Sequence, residues 1–195
     1  MAISNSNGDN DGHYHLYKPS TCSSNYLLEG KTMKCLECHV ETKPVKIERY
    51  YYSECGLKNI YLTDVKAMEC PHCNDQEVLL PNIENLHALI AKNIASQASR
   101  LKSEEIRFLR VHLGLSGIDF AQAVSVEPET VSRWENGRSE MKLTNERLLR
   151  ILILSKAGPF RDYKELGGFG TSSKKGRPNL QFAVKGDQWR QFAAA

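Results

Sequence analysis

The spacing of apolar and polar positions changes character twice along the chain. Between Lys31 and about Leu80, two β-favouring runs, VKIERYYYS from Val45 and NIYLTDV from Asn59, flank the turn-like stretch Cys55-Gly56-Leu57-Lys58. That text predicts strands in a small sheet. From Pro81 the period lengthens. Ile83, Leu86, Leu89, Ile90, Ile94 and Ala98 recur every three or four positions, so a helix over roughly 82–100 carries one apolar stripe.

A second group of helices follows. Ser103-Glu104-Glu105 is a start signal, because a serine hydroxyl can cap free amides and carboxylates suit the positive end of the helix dipole. Ile106, Leu109 and Leu113 continue the stripe up to Gly114. Further short helices are expected from Gly117 to Val124, capped by Ser116, and from Pro128 to Asn136. One or two more occupy Leu143 to Leu154. The fold class expected is α+β, a small β-rich N-terminal module followed by an all-α bundle. Five segments result: a disordered tail over 1–30, a cysteine-bearing module over 31–80, a linker helix over 81–102, a helical bundle over 103–156 and a basic tail over 157–195, with some order near Trp189.

The chain has 195 residues and a net charge of +3, which alone excludes little. Its distribution is more informative. Residues 103–155 hold 7 basic and 8 acidic side chains, whereas residues 156–195 hold 8 basic and 3 acidic, including Lys174-Lys175-Gly176-Arg177-Pro178. No basic start with an apolar run marks a secretory leader, and the greasiest patch, Leu148 to Leu154, is too short to span a bilayer and is interrupted by Arg150. A soluble cytoplasmic protein without membrane partners is expected, with cysteines reduced or metal-bound.

Four of the six cysteines form two Cys-x-x-Cys pairs, Cys35/Cys38 and Cys70/Cys73, with 31 residues between the pairs. Two residues between cysteines make a tight knuckle that aims both sulfurs at one point, and two knuckles make a tetrahedral S4 site suited to one structural Zn²⁺. His39 and Asn74, just after each knuckle, are types that tolerate a left-handed backbone. His39 and His72 are read as solvent-facing rather than as rival ligands, and Cys22 and Cys55 as unpaired thiols. No side chains form a nucleophile–base pair or an open metal site, so no catalytic residues and no enzyme activity are expected.

The stretch Thr130-Val131-Ser132-Arg133-Trp134-Glu135-Asn136-Gly137 is the most specific in the chain. Val131 and Trp134, three apart, share a helix face that would pack on Ile106, Leu109, Leu113, Phe120, Ala121 and Val124. Glu129, Ser132, Arg133 and Asn136 fall on the other side. A short helix offered this way fits the major groove of double-stranded DNA.

Residues 106–137 resemble the lambda-repressor-type (Xre-type) helix-turn-helix. The whole order of parts over about residues 33–155, two CxxC knuckles, an apolar helix, LKSEEIRFLR and then this motif, resembles the MqsA/YgiT family of zinc-module antitoxins. That resemblance implies a recognition helix from Pro128 to Asn136. In it Glu129 and Arg133 reach base edges, while Thr130, Ser132, Asn136 and Arg138 bind or border phosphates. It also implies that Arg110 pairs with Glu135 as a clamp.

The chain departs from the pattern in three places. Gly117 replaces the usual glutamine, Ser125 replaces the usual turn glycine, and residues 1–30 precede the first knuckle as an addition. The function implied is a homodimeric transcriptional repressor at the bacterial nucleoid. It would be the antitoxin of a type II toxin–antitoxin pair, neutralising a ribonuclease-like toxin through the zinc module. A stand-alone Xre-type regulator is the alternative.

Overall fold

In a computed structural model the chain is described over residues 33–156, 167–172 and 178–192. The expected 1–30 tail with Cys22, and the basic run Lys174 to Arg177, lie outside the described residues. The fold is α+β, a five-stranded sheet and five α-helices among the described residues.

The N-terminal strands are β1 (Lys43–Tyr51), β2 (Ile60–Glu69) and β3 (Gln76–Leu79). β1 runs antiparallel to β2 from Lys43↔Glu69 to Tyr51↔Tyr61, along one edge. The other edge of β2 is shared. β3 pairs with its C-terminal half (Lys66↔Leu79 to Glu69↔Gln76), and β4 (Leu180–Lys185) pairs parallel to its N-terminal half (Ile60↔Leu180 to Thr63↔Ala183). β5 (Gln188–Phe192) then folds back on β4.

Asp64 sits where the second edge changes hands and has a φ of 58°, so the facing side of β2 switches there. Ile60 and Leu62 point into the core before it, and Val65 and Ala67 after it. Lys46 Nζ holds the Asp64 carboxylate at 2.8 Å on the surface.

Residues 180–192 are therefore not a tail. Leu180 and Phe182 are buried, and Trp189 is 3% exposed, its indole N–H donating to Pro81 O at 2.7 Å. The alternation of LQFAVK, the Gly186-Asp187 turn and the alternation of QWRQF encode a hairpin. Its apolar face joins the core that β2 and α1 share.

The helices are α1 (Ile83–Ala95), α2 (Ser103–His112), α3 (Gly117–Ala123), α4 (Pro128–Glu135) and α5 (Leu143–Lys156). α1 begins one residue later than Pro81 suggests, because Asn82 adopts φ 45° and its side chain accepts from Asn85 N at 3.2 Å. It also stops at Ala95 rather than near 100. Ser96 closes it, its hydroxyl donating to Lys92 O at 2.9 Å.

At the start of α2, Ser103 lies within the first turn. The Glu105 carboxylate accepts from Lys102 N at 2.8 Å, so the acid and not the serine ties down the entry.

Leu86, Ile90 and Ile94 of α1 join Leu62, Phe182 and Trp189 of the sheet and Leu109, Phe120, Trp134 and Leu149 of the bundle in one buried cluster. No described helix is long and apolar enough to cross a membrane.

The apolar run from Leu148 hides a charge. Arg150 is fully buried, and its guanidinium donates to Ala95 O (2.9 Å), Gln97 O (2.5 Å) and Ser99 O (2.6 Å) at the end of α1. Glu146, one turn earlier and 1% exposed, accepts from Arg150 Nη2 at 2.8 Å, Arg100 Nε at 2.6 Å and Leu101 N at 3.1 Å. The orphan carbonyls of a buried helix end thus find a cation instead of water. Phe169 closes the site, with its ring 5.4 Å from the Arg150 guanidinium carbon.

Candidate nucleic-acid interface and metal centre

α2, α3 and α4 each end the same way. Leu113, Val124 and Asn136 are C-caps, and the next residue is left-handed in each case: Gly114 (φ 79°), Ser125 (φ 54°) and Gly137 (φ 68°). The N–H of the residue after that then reaches back to the carbonyl five positions earlier. These bonds are Leu115 N to Arg110 O (3.3 Å), Val126 N to Ala121 O (2.9 Å) and Arg138 N to Arg133 O (2.8 Å). Such tight endings let three short helices turn on one another. Ser125 takes the conformation that the missing glycine would have occupied freely.

α3 is further fixed at its start, where Ser116 and Asp119 form a reciprocal capping box. Ser116 Oγ accepts from Asp119 N at 3.1 Å and donates to Asp119 Oδ2 at 2.6 Å, and this serine contact holds the Asp119 carboxyl below its usual range.

α4 is oriented by its inner face. Val131 is 1% and Trp134 3% exposed, packed with Ile106, Leu109, Phe120, Ala121 and Val124. Leu113 joins as a half-buried neighbour. Removing an indole buried to this degree costs about 3–5 kcal/mol. The outer face then follows from helical geometry: Glu129, Ser132, Arg133 and Asn136 are exposed and Thr130 half-buried.

Arg138 is exposed just beyond the helix. Asn136 has a second engagement, since its amide donates to Ser132 O at 2.8 Å and steadies the helix end.

Glu135 turns sideways. Arg110 Nε donates to Glu135 Oε1 at 2.5 Å and Nη2 to Oε2 at 3.0 Å, while Nη1 donates to Leu115 O at 2.7 Å. This fork-on-fork pair, with both side chains only about a tenth exposed, ties α2 to the end of α4. Aromatic packing adds a second tie farther back. Tyr52 Oη lies 2.8 Å from His87 Nε2, and the Phe108 ring stands edge-on to His87 and flat against His112.

The two cysteine knuckles superpose in their bonding. Cys35 N donates to Val40 O (2.8 Å) and His39 N to Cys35 O (3.0 Å). Cys70 N donates to Asp75 O (2.9 Å) and Asn74 N to Cys70 O (3.0 Å). His39 and Asn74 both take φ 58°, the left-handed conformation that turns each loop back on its first cysteine. The β1–β2 and β2–β3 pairings bring the knuckles together, and all four sulfurs lie within 4.8 Å of one another.

Cys35–Cys73, Cys38–Cys70 and Cys38–Cys73 are 3.5, 3.3 and 3.7 Å apart. Four thiolates about 2.3 Å from a tetrahedral ion would sit about 3.8 Å from one another, so the cluster is close to the size that could hold one metal ion. The thiols share their protons unequally: the backbone N–H groups of Cys73 and His72 bring Cys70 down to about 6, while Cys73 is pushed up to about 12 among its thiol neighbours.

His39 and His72 are exposed and outside the cluster. Cys55 is half-buried, with its thiol donating to Tyr52 O at 3.3 Å and pushed up to about 11 by burial. The residues that sequence reasoning missed are Arg100, Glu146 and Arg150, which pair with one another and with backbone groups brought together only by the fold.

No curated protein and no solved structure shows significant similarity to the chain. Residues 106–153, from Ile106 in α2 to Ile153 in α5, match the helix-turn-helix family model, which supports DNA binding by this region.

Proposed function

We propose that the protein is a sequence-specific transcriptional repressor that places α4 in the major groove of its operator. The observation that carries this reading is the opposed orientation of two neighbours, Trp134 inward and Arg133 outward. Arg133 gives a bidentate contact to guanine, and Glu129 accepts from a cytosine amino group. Thr130, Ser132 and Arg138 meet phosphates, and Asn136 does so through whatever its capping bond leaves open. A twofold dimer doubles these contacts, which offsets the low net charge of residues 103–155. Cys35, Cys38, Cys70 and Cys73 hold one structural Zn²⁺, which fills all its coordination positions with protein and supplies stability rather than chemistry.

The resemblance to the MqsA/YgiT family makes the repressor an antitoxin whose zinc module masks a ribonuclease-like toxin. Footprinting on the protein's own promoter tests the DNA face. Arg133→Ala removes specific protection while leaving zinc content and folding intact, and unchanged protection would refute the assignment. Co-purification with the product of an adjacent small reading frame tests the toxin separately. Its failure beside a positive footprint leaves a stand-alone regulator.

A further inference from the structure

The sheet has a second face that α1 does not cover. Strand pairing places Tyr51, Tyr61, Gln181 and Phe192 in one row across β1, β2, β4 and β5, since Tyr51↔Tyr61, Tyr61↔Gln181 and Gln181↔Phe192 are direct partners. Arg49, Thr63, Ala183 and Arg190 form the adjacent row by the same logic. Residues two apart on a strand share a face, so the two rows lie side by side on one surface. The opposite face carries the buried Leu62, Phe182 and Trp189, the last reaching Pro81 at the head of α1.

This surface is unlike an ordinary solvated sheet. Tyr51 is 46% and Phe192 54% exposed, well above what large rings usually show. Tyr51 and Tyr61 lie 5.4 Å apart by ring centroid, and the Arg49 guanidinium sits 4.2 Å over the Tyr61 ring. Arg190 is exposed at the far side of the small Ala183, which is itself only 9% exposed. Neither row contains an acidic residue.

We propose that this face binds single-stranded RNA. The chemistry required is a chain of phosphates with flat π-faces free to splay. Arg49 and Arg190 complement the phosphates, while Tyr51, Phe192 and the Arg49–Tyr61 pair give bases surfaces to stack on. A duplex buries its bases and offers nothing to these rings. Four strands at about 4.8 Å spacing give a platform about 14 Å wide, and sheets of this kind stack two or three bases. Gln181, between Tyr61 and Phe192 in its row, presents both donor and acceptor, as a ribose 2′-hydroxyl does. That selects RNA over DNA.

The site is separate from α4, so the test separates the two. The probe is a fluorescein-labelled eight-nucleotide pyrimidine-rich RNA, followed by anisotropy with the full-length protein at low and physiological salt. The wild type binds it more tightly than DNA of the same sequence, with affinity falling as salt rises. Tyr51→Ala and Phe192→Ala each weaken binding about tenfold, the effect of losing one stacked base, and Tyr51→Phe keeps it. Arg190→Gln weakens it and flattens the salt dependence. Arg133→Ala leaves it unchanged, while Tyr51→Ala leaves operator footprinting unchanged. The proposal is overturned by absence of RNA binding, by equal or tighter binding of the DNA oligonucleotide, or by ring variants that bind RNA as the wild type does.

Discussion

Glu146 and Arg150 are one helical turn apart on α5, 2.8 Å from each other and sealed from solvent at 1% and 0% exposure. A surface pair at this spacing stabilises a helix by a few tenths of a kcal/mol, about 0.3–0.5. Here the arginine also holds the carbonyl end of α1, and the glutamate holds Arg100 and the Leu101 amide. The pair is the joint through which the sheet-bearing helix meets the helix-turn-helix. Arg150→Met leaves the buried carbonyls of Ala95, Gln97 and Ser99 without their cation and takes one of three partners from the Glu146 carboxylate, which lowers stability by about 3–5 kcal/mol. Urea denaturation measures it, and a midpoint within error of wild type would remove the joint from the account.

Ser125 is the one non-glycine among the three left-handed helix ends of the bundle. Ser125→Gly relieves that conformation and raises stability by about 1 kcal/mol. Thermal melts of the two proteins read the change directly. Because Ser125 is exposed between α3 and α4 and outside the DNA face, operator affinity stays the same.

His87 sets a pH dependence. Burial, and secondarily the neighbouring His112, hold its imidazole below the usual value of 6.5. A depressed value means that the fold favours the neutral ring. The associated stability is present above about pH 6.5 and is lost as pH falls through the lowered folded value. His112 is shifted the same way by burial and then by Lys156. Melting temperature therefore drops between pH 7.5 and 5.5, and His87→Gln shows a smaller drop. Parallel curves for the two proteins would rule His87 out as the source.

Metal content is the remaining test of the cysteine cluster. Elemental analysis finds one zinc per chain in the wild type and almost none in Cys70→Ser. Loss of the ion releases the two knuckles, so amide exchange quickens along the β2–β3 pairing from Lys66↔Leu79 to Glu69↔Gln76. Amides of α2 and α4 keep their protection, because their core contains no knuckle residue. A wild-type protein without metal would end the zinc assignment.

What the sequence exposed was local chemistry. The knuckle spacing, the left-handed His39 and Asn74, the inward Trp134 and the strained Ser125 each follow from a few adjacent residues, and each is where the spacing put it. What it concealed was pairing at a distance. Arg150 looks like an interruption in an apolar run until the end of α1 arrives beside it. The hairpin of β4 and β5 sits behind a Gly, Ser and Lys-rich stretch that suggested a tail, and its parallel partner lies about 120 residues upstream in β2. The single anchor recognised there, Trp189, was a fragment of that hairpin.

The same arrangement has a temporal side. A ribosome making this chain releases β2 long before it has synthesised the strand that adjoins Ile60, and every helix of the DNA-binding bundle emerges in between. Until residue 180 appears, half of one border of β2 is open to strangers, and so is the apolar surface that Phe182 and Trp189 later conceal. Maturation thus waits on a hairpin made after the whole helical bundle, with the slow closure expected of long-range strand contacts. A protease that nicks this hairpin would return the molecule to its unfinished, sticky form without touching either the cysteines or α4.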